Sequence, residues 1–566
     1  MRKLSVILCL FVILIIPISA QDDNPPDPAE SALGWMTAII TQDDDALVDY
    51  ACSADMEDIE QAIEDMNFPE SVTDVLLTGA DMDLSPLSFD VFYEIDSLAI
   101  VQLSGIGDIG TIGRNVVDFA DTYVGLIIED SEWVVCSTVV FDRELYDDTL
   151  TFIQQAEENN ARELDLSFNN ITILPHEIGN LTNLETLDLG YNNLISLPSE
   201  FANLTNLTSL RLANNDLSDL SILGNFTNLQ SLNLQGMGLA DLPVAFENLV
   251  DLQELNLGGN AFVDAPAVLG SLTALTTLYF NENDLTSLPT EMGDLVNLTV
   301  LQLESNEFTS LPAVVTNITA LQILNLNGNS LTTIPTNIDS LTNLVQFYLS
   351  NNDITQLPAE IGNLSNLQLL ALFVNDLTSL PDELTNLTAL RNLSLDHNQL
   401  TSLPATFSNL INLTNLSLDD NNFTSFPIEI TELQNLEVLL MNDNDLTNLP
   451  SEIGNISTLR ELVLRRSQLT TLPVQIGNLT NLFYFDISEN NLISLPATIG
   501  NLVNLEFLQV DESMLLDVPS SLVQESLLEV YVNIEGHGVE VMAVELLSAG
   551  EDAISQWLQS FESNGG

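Results

Sequence analysis

The chain has 566 residues, with 82 acidic residues against 10 basic ones and a formal net charge of −72. This balance excludes nucleic-acid binding, which needs Lys and Arg side chains to neutralise phosphates, and it disfavours anionic membrane surfaces. So large a charge keeps a protein soluble but destabilises its compact state unless salt or divalent cations screen it. A saline or calcium-rich habitat is one interpretation, and a lineage that uses few lysines is the other.

The first predicted element is a signal peptide over residues 1–20. A positive start at Arg2 and Lys3 and an apolar run are followed by the small residues Ser19 and Ala20, the pattern of a cleaved secretory signal. The apolar run is short for a membrane span of ~20 residues. We therefore expect cleavage rather than anchoring, no integral membrane segment afterwards, and a protein that is secreted to the extracellular space or the cell surface.

Residues 21–148 do not repeat and are predicted to form a small α+β domain, because helical patterns precede strand patterns. The predicted strands cover 89–95, 98–103, 123–128 and 133–140. Cys52 and Cys136 both lie in this segment. An even pair of cysteines in an exported protein indicates one disulfide, with two buried free thiols as the alternative.

The order of elements in this domain resembles the nuclear-transport-factor-2-like, cystatin-like superfold, which implies a curved sheet wrapped around the first helix. Some members of that superfold are enzymes that use Asp, Tyr or His. The domain contains no His, and although Asp90, Tyr93 and Asp96 are present, acidic residues of a strand usually belong to its solvated face. An enzyme in this domain, with the rest of the chain as a targeting arm, is an alternative function.

Residues 149–163 are predicted to form an N-terminal cap. An amphipathic helix over 145–160 places Ile153 and Ala156 on its apolar face. Such a cap covers the terminal core of a repeat array, which would otherwise be open to water.

Residues 164–533 repeat with a step of 23 residues, shortened to 22 between Asn215 and Met237. A proline follows six residues after each asparagine position from Pro175 to Pro519, and only Ser221 breaks this rule. The asparagine position is occupied in turn by Asn169, Asn192, Asn215, Met237, Asn260, Asn283, Asn306, Asn329, Asn352, Asn375, Asn398, Asn421, Asn444, Ser467, Asn490 and Ser513.

Each position in the repeat has a physical reason. Leu187 and Leu189 alternate as in a strand and face one interior, which a single unit cannot enclose but stacked units can. The Asn192 amide can satisfy backbone groups that the following turn buries. Pro198 ends the sheet and suits an extended or short helical back wall. We therefore expect about 17 parallel strands in one curved sheet.

These units resemble the leucine-rich-repeat family in its 23-residue form, with Leu-Pro-x-x-Ile-Gly-Asn-Leu. The resemblance implies an α/β solenoid whose concave sheet binds a protein or another ligand. Met237, Ser467 and Ser513 depart from the asparagine pattern, and we expect a weaker asparagine ladder there. Residues 534–566 are predicted to form a C-terminal helical cap, with a helix over 541–561.

Catalytic groupings are absent from the sequence. His176, His397 and His537 lie far apart along the chain, and no cysteine and histidine cluster has zinc spacing. We therefore predict that the protein is not an enzyme.

The residues that flank the strand leucines are predicted to face the ligand. Tyr348, Phe373 and Val374 form an apolar spot on a polar face, and such spots often anchor partners. Arg465 and Arg466 either bind the ligand or pair with neighbouring acidic residues such as Asp443, Asp486 and Glu489. The predicted binding residues are Tyr348, Phe373, Val374, His397, Leu440, Arg465 and Arg466.

No cofactor is expected, with one qualification. Asp396 lies beside Asp419 in the repeat register, and Asp420 lies beside Asp443. Such pairs either share a calcium ion, which takes several oxygen ligands, or form a solvated acidic face. The leading hypothesis is a secreted recognition or adhesion protein with a protein or glycan partner. The alternatives are an enzyme in the front domain and a structural envelope component.

Overall fold

A computed structural model describes the backbone of residues 82–83, 88–95, 98–104, 106–109, 116–118, 122–129, 132–135, 143–511, 521, 529–534 and 538–542, and the side chains of residues 145–510 and 521. The predicted signal peptide, the Cys52–Cys136 disulfide, the helices of the front segment and Ser513 lie outside the described residues. The chain divides into two compact units, residues 1–226 and 227–566.

The front segment of the first unit contains short antiparallel strands. Strands β2, β3, β6 and β7 pair in that order and overlap the four predicted strands, although the last is described only to Val135. Strands β1, β4 and β5 form a second small sheet. The bounds are β1 Met82–Asp83, β2 Ser88–Ile95, β3 Leu98–Ser104, β4 Ile106–Ile109, β5 Val116–Asp118, β6 Thr122–Glu129 and β7 Glu132–Val135.

The rest of the first unit is a helix followed by three repeats. Helix α1 (Arg143–Glu158) buries Ile153 and Ala156, as predicted, and beyond its end the Asn160 Oδ1 accepts a hydrogen bond of 2.6 Å from the Asn183 side chain. The three repeats contain parallel strands and 3-10 helices: β8 Glu163–Asp165, β9 Thr186–Asp188, β10 Ser209–Arg211, and the 3-10 helices His176–Asn180, Ser199–Asn203 and Ser221–Asn225.

The second unit continues the repeats as one sheet. Its strands β11 to β24 pair in parallel in chain order, and β25 pairs antiparallel with β24. The bounds are β11 Ser231–Asn233, β12 Glu254–Asn256, β13 Thr277–Tyr279, β14 Val300–Gln302, β15 Ile323–Asn325, β16 Gln346–Tyr348, β17 Leu369–Ala371, β18 Asn392–Ser394, β19 Asn415–Ser417, β20 Val438–Leu440, β21 Glu461–Val463, β22 Tyr484–Ile487, β23 Phe507–Asp511, β24 Glu529–Ile534 and β25 Gly538–Met542.

Strand β25 corrects one boundary of the predicted C-terminal cap. Val541 and Met542 pair with Tyr531 and Val530 of β24, so the helix predicted over 541–561 does not begin at Val541. A hairpin satisfies the backbone groups of β24 that no further repeat covers. The remainder of the predicted helix lies outside the described residues.

The wall opposite the sheet is made of 3-10 helices, most of them starting directly after the repeat proline, since proline fits the first turn and cannot continue a sheet. This agrees with the short helical wall predicted from the sequence. In the second unit these helices are Val244–Asn248, Ala267–Ser271, Thr290–Asp294, Ala313–Asn317, Thr336–Ser340, Ala359–Asn363, Asp382–Asn386, Phe407–Asn409, Ile428–Glu432, Ser451–Asn455, Val474–Asn478 and Ala497–Asn501.

The break at Ser221 is compensated locally. In place of a proline, the Asp219 Oδ1 accepts a hydrogen bond of 2.8 Å from the Ser221 backbone N–H. The same oxygen accepts one from the Ser221 hydroxyl. An aspartate that bonds the backbone two residues on starts a turn in the same way as a helix cap.

The leucines form a continuous core within each unit. In register, Leu393 lies opposite Leu416, and Leu416 opposite Leu439, and these side chains are at most 1% exposed. Because equivalent leucines stack on one another, each repeat buries apolar surface that it could not bury alone.

Buried asparagines satisfy the backbone where the chain leaves each strand. The Asn398 Nδ2 donates to the carbonyl oxygens of Leu372 and Leu395 at 2.9 and 3.0 Å, and its Oδ1 accepts from the Leu377 N–H at 3.0 Å. One side chain therefore serves backbone groups of two adjacent repeats, which would otherwise be buried without partners.

The ladder is interrupted at Ser467, as the sequence predicts. Among the described residues, Ser467 is 6% exposed and its Oγ has no hydrogen-bond partner. Serine is too short to reach the groups that asparagine serves. Met237, 6% exposed, offers no amide at all.

We predict opposite effects of two substitutions in this ladder. Asn398→Ala should lower the free energy of unfolding by about 2–4 kcal/mol, because it leaves several buried backbone groups unpaired. Ser467→Asn should raise it by about 1 kcal/mol by completing the ladder. Urea unfolding followed by circular dichroism measures both. The exposed Asn386→Ala is the control, and a loss there as large as for Asn398→Ala would contradict the assignment.

A glycine at the second-to-last position of a 3-10 helix allows adjacent turns of the solenoid to approach closely. A Cβ added at Gly454 would lie 2.6 Å from the Gln475 carbonyl oxygen, whereas one at the equivalent Gly293 would lie 3.5 Å from its nearest neighbour, the Val314 Cγ2. The backbone of the next repeat therefore excludes a side chain at Gly454 but not at Gly293.

We expect Gly454→Ala to destabilise the second unit by about 1–3 kcal/mol, the usual cost of forcing packed backbone apart. Gly293→Ala should be neutral or stabilise by up to about 1 kcal/mol, because alanine restricts the unfolded chain. Thermal unfolding of the two variants checks this pair. Equal effects would mean that the close approach at Gly454 is unimportant.

Candidate ligand-binding face

The side chains on either side of each strand leucine form the solvent face of the sheet. In each repeat this face contains the two residues that flank the central leucine and the two that precede the asparagine position. The residue directly before the asparagine has a positive φ, for example Val374 at 55° and His397 at 50°. The repeated backbone therefore presents these side chains at equivalent places in successive repeats.

Strand β17 and the three residues that follow it are apolar on both faces. Leu370 and Leu372 point into the core and are fully buried, while the solvent face contains Leu369, Phe373 and Val374. Val374 is 41% exposed, and Phe373 is half-buried. Apolar side chains that remain partly exposed on a mostly polar face are suited to contact with a partner.

The neighbouring strands of β17 are polar on the same face. On β16, the Tyr348 hydroxyl donates a hydrogen bond of 3.0 Å to the Gln346 side chain, and Tyr348 is half-buried. Tyr348 lies opposite Ala371 in the register. Tyr348 thus lies on β16, whereas Phe373 and Val374 lie in the segment that follows the adjacent strand β17.

An acidic cluster lies just after strands β18 and β19. Burial and then the neighbouring Asp419 raise the pKa of Asp396 to about 6, and burial also raises the pKa of Asp419. Asp419 accepts hydrogen bonds from the backbone and side chain of Asn442 at 2.6 and 3.1 Å. Asp420 instead contacts the His397 Nδ1 at 2.5 Å.

This cluster lacks the arrangement of a metal site. Among the described residues, no group of three or more His, Cys, Asp or Glu side chains could hold a metal ion. Asp396 and Asp419 are half-buried, whereas Asp420 and Asp443 are exposed.

The two arginines pair with acidic neighbours. The Arg465 and Arg466 Nε atoms donate to the two Glu489 carboxylate oxygens at 2.7 and 2.8 Å, and Arg466 also lies 3.6 Å from Asp443. These bonds lower the pKa of Glu489, with Arg466 the larger cause. Asp486, the third expected partner, instead accepts from Ser488. Leu440, on the strand between the acidic cluster and the arginines, is half-buried.

Matches to known sequence families cover more than half of the chain. The leucine-rich repeat region family matches residues 290–404, 336–442 and 451–547, the leucine-rich repeat family matches 159–217, and the two-copy leucine-rich repeats family matches 205–245. The chain belongs to the leucine-rich-repeat family. No curated protein matches the sequence significantly.

Solved structures of other leucine-rich-repeat proteins are similar to this one. A leucine-rich-repeat protein of Leptospira interrogans is 37% identical, with 63% of this chain and 92% of that chain covered and a TM-score of 0.60. The plant peptide hormone receptor RGFR1, in complex with RGF2, is 30% identical over 66% of this chain and 67% of its own, with a TM-score of 0.51. An internalin of Listeria monocytogenes is 26% identical over 56% and 94%, with a TM-score of 0.51.

One feature of this leucine-rich-repeat protein was missed by the sequence reasoning. Phe168 and Tyr191, directly before the asparagine position in the first two repeats, stack in the first unit with ring centroids 4.3 Å apart. Aromatic residues at the same position of successive repeats were the available signal.

Within the described residues, no helix is long and apolar enough to cross a membrane.

We predict that Asp396→Asn flattens the pH dependence of stability. The pKa of Asp396 is raised in the folded state, from 3.8 to about 6. Its contribution to stability is therefore full below pH ~4 and is lost as the pH rises through about 6. At pH 7.5 the variant should be more stable by roughly 1–2 kcal/mol, after allowance for solvent screening, and at pH 5 the gain should be smaller.

Urea unfolding at both pH values measures this difference. Asp353 is exposed and lies in the same unit. Asp353→Asn removes the same charge as Asp396→Asn, so it is the control for the effect of net charge. If both variants show the same pH dependence, burial of Asp396 is not the cause.

Proposed function

We propose that this protein is an exported recognition or adhesion protein whose concave sheet face binds a protein or glycan partner. The observation that carries the proposal is the repeat that contains strand β17, where Leu369 on the strand and Phe373 and Val374 just after it make the solvent face apolar between polar neighbours. Export is supported by the signal-like start of the sequence at residues 1–20.

The position of Val374 strengthens this argument. Its φ is 55°, a conformation that β-branched residues rarely adopt and that Gly and Asn adopt readily. Equivalent positions in other repeats hold Gly259, Gly328 and Asn351. An exposed valine at that place costs backbone energy and adds nothing to the core, so its benefit is best explained by contact with a ligand.

The similar structures favour a polypeptide ligand. One is a peptide hormone receptor in complex with RGF2, and another is an internalin. Tyr348 would complete the apolar anchor, since buried aromatic side chains at the centre of an interface contribute most of its binding energy. His397, Leu440, Arg465 and Arg466 would form the surrounding polar and apolar rim.

The arginines are proposed as rim rather than anchor residues because Glu489 and Asp443 already hold them. Exposed pairs of this kind contribute ~0–1 kcal/mol to stability. A ligand that recruited them would first have to replace these partners.

The test is recovery of a partner from native culture medium and cell surface by residues 21–566. Phe373→Ser/Val374→Asn should lower the recovery of a specific partner at least tenfold, since loss of such an anchor costs about 1.4 kcal/mol or more. Serine and asparagine occur at these positions in other repeats, as at Ser350 and Asn351, so the fold should be retained.

The matched control is Ile411→Thr. Ile411 is 57% exposed but lies outside the strands, at a repeat position that is threonine elsewhere, for example Thr388. Partner recovery should be unchanged in this variant. Equal recovery by the wild-type chain and the β17 variant would refute the proposed site and direct attention to the front domain.

A further inference from the structure

The first two repeats present an exposed pair of aromatic rings. The planes of Phe168 and Tyr191 are inclined by only 9°, with centroids 4.3 Å apart. Phe168 is 69% exposed and Tyr191 48% exposed. The two rings therefore form a stack that leaves large aromatic surfaces in contact with solvent.

The stability of the fold does not explain these residues. Their φ values are 58° and 56°, in the left-handed region that bulky side chains avoid. The next repeat has Asn214 at the same place, a residue suited to that conformation. Two consecutive aromatic residues thus occupy an unfavourable backbone position and bury little apolar surface, which is a pattern found at binding sites.

Two oriented carboxylates accompany the rings. Asp165 lies opposite Asp188 in the register of β8 and β9, three residues before Phe168 and Tyr191 respectively. The Asp165 Oδ1 accepts hydrogen bonds from the Ser167 backbone N–H and hydroxyl at 2.9 and 2.6 Å. These bonds lower the pKa of Asp165, so it is ionised at neutral pH.

Asp188 is held in a similar way. Its Oδ1 accepts from the Gly190 N–H at 2.9 Å, and its Oδ2 lies 3.4 Å from Arg211. The other nearby arginine, Arg162, lies 3.2 Å from Glu185. The cations of this region are therefore already paired, and the rings are combined with excess negative charge.

We propose that the Phe168–Tyr191 stack and Asp165 form a subsite for an arginine side chain of a protein partner. The faces of aromatic rings attract cations. A guanidinium group is planar, so it can extend the stack and donate two parallel hydrogen bonds to a carboxylate. A chain with a net charge of −72 also draws basic partners towards it.

This subsite rests on the proposed function in one respect, because it requires a polypeptide partner. It lies in the first unit, whereas the apolar strip on β17 lies in the second. The two can be tested separately, because substitutions at Phe168 and Phe373 affect different repeats.

The experiment is isothermal titration calorimetry of the full chain with the probe peptide acetyl-Gly-Arg-Gly-Arg-Gly-amide. At about 0.3 M NaCl the Debye length is roughly 6 Å, which screens diffuse attraction to the acidic surface. Phe168→Asn/Tyr191→Asn changes no charge and places asparagine where the backbone favours it. We expect this variant to bind the probe about fivefold more weakly.

Ser305→Asn is the matched control, because it places asparagine at the same position of another repeat, with the same positive φ and no change of charge, and it should bind like the wild type. The lysine version of the peptide should bind the wild type more weakly than the arginine version. Equal binding of the two peptides, or unchanged binding by the aromatic variant, would overturn the proposal. A neutral oligosaccharide, maltohexaose, tests the other ligand class: binding that the aromatic variant abolishes would identify a sugar site instead.

Discussion

The repeat array depends on one buried side-chain amide in most of its repeats. Where the chain turns away from the strand, carbonyl and N–H groups point into an interior of leucines that water does not reach. Asn375 shows the solution: its Nδ2 donates to Leu349 and Leu372, and its Oδ1 accepts from Ile354. Because these partners lie in two adjacent repeats, the same bonds that satisfy the turn also set the distance between repeats.

The leucines and asparagines determine the packing of the repeats. The residues between them are not needed for packing, so the solvent face of the sheet is free to vary. Strand β17 can therefore be apolar on its outer side, and the position before the asparagine can hold Phe168, Tyr191 or Val374 despite its positive φ. These departures from the local conformational preference are an observation on which both proposed binding sites rest.

The charged residues of this face interact in two different ways. Arg465 and Arg466 share Glu489, while Asp396 and Asp419 face each other with raised pKa values. Desolvation is the larger cause at both aspartates, and mutual repulsion adds to it at Asp396. A ligand with basic groups would relieve this repulsion and an acidic ligand would increase it, so we expect the face to favour basic partners.

The sequence alone determined the repeat, its register and the leucine core, because a fixed 23-residue step brings equivalent residues side by side whatever their rotamers. It also identified Tyr348, Phe373 and Val374 as outward-facing and Ser467 as a weak point of the ladder. Tertiary structure decided which of several equally spaced partners each polar group binds. Arg465 donates to Glu489, and Asp419 accepts from Asn442. Asp219 starts the turn where the repeat proline is missing. Register sets which side chains are neighbours, but rotamers and competing hydrogen bonds decide which of them interact, and these depend on three-dimensional packing.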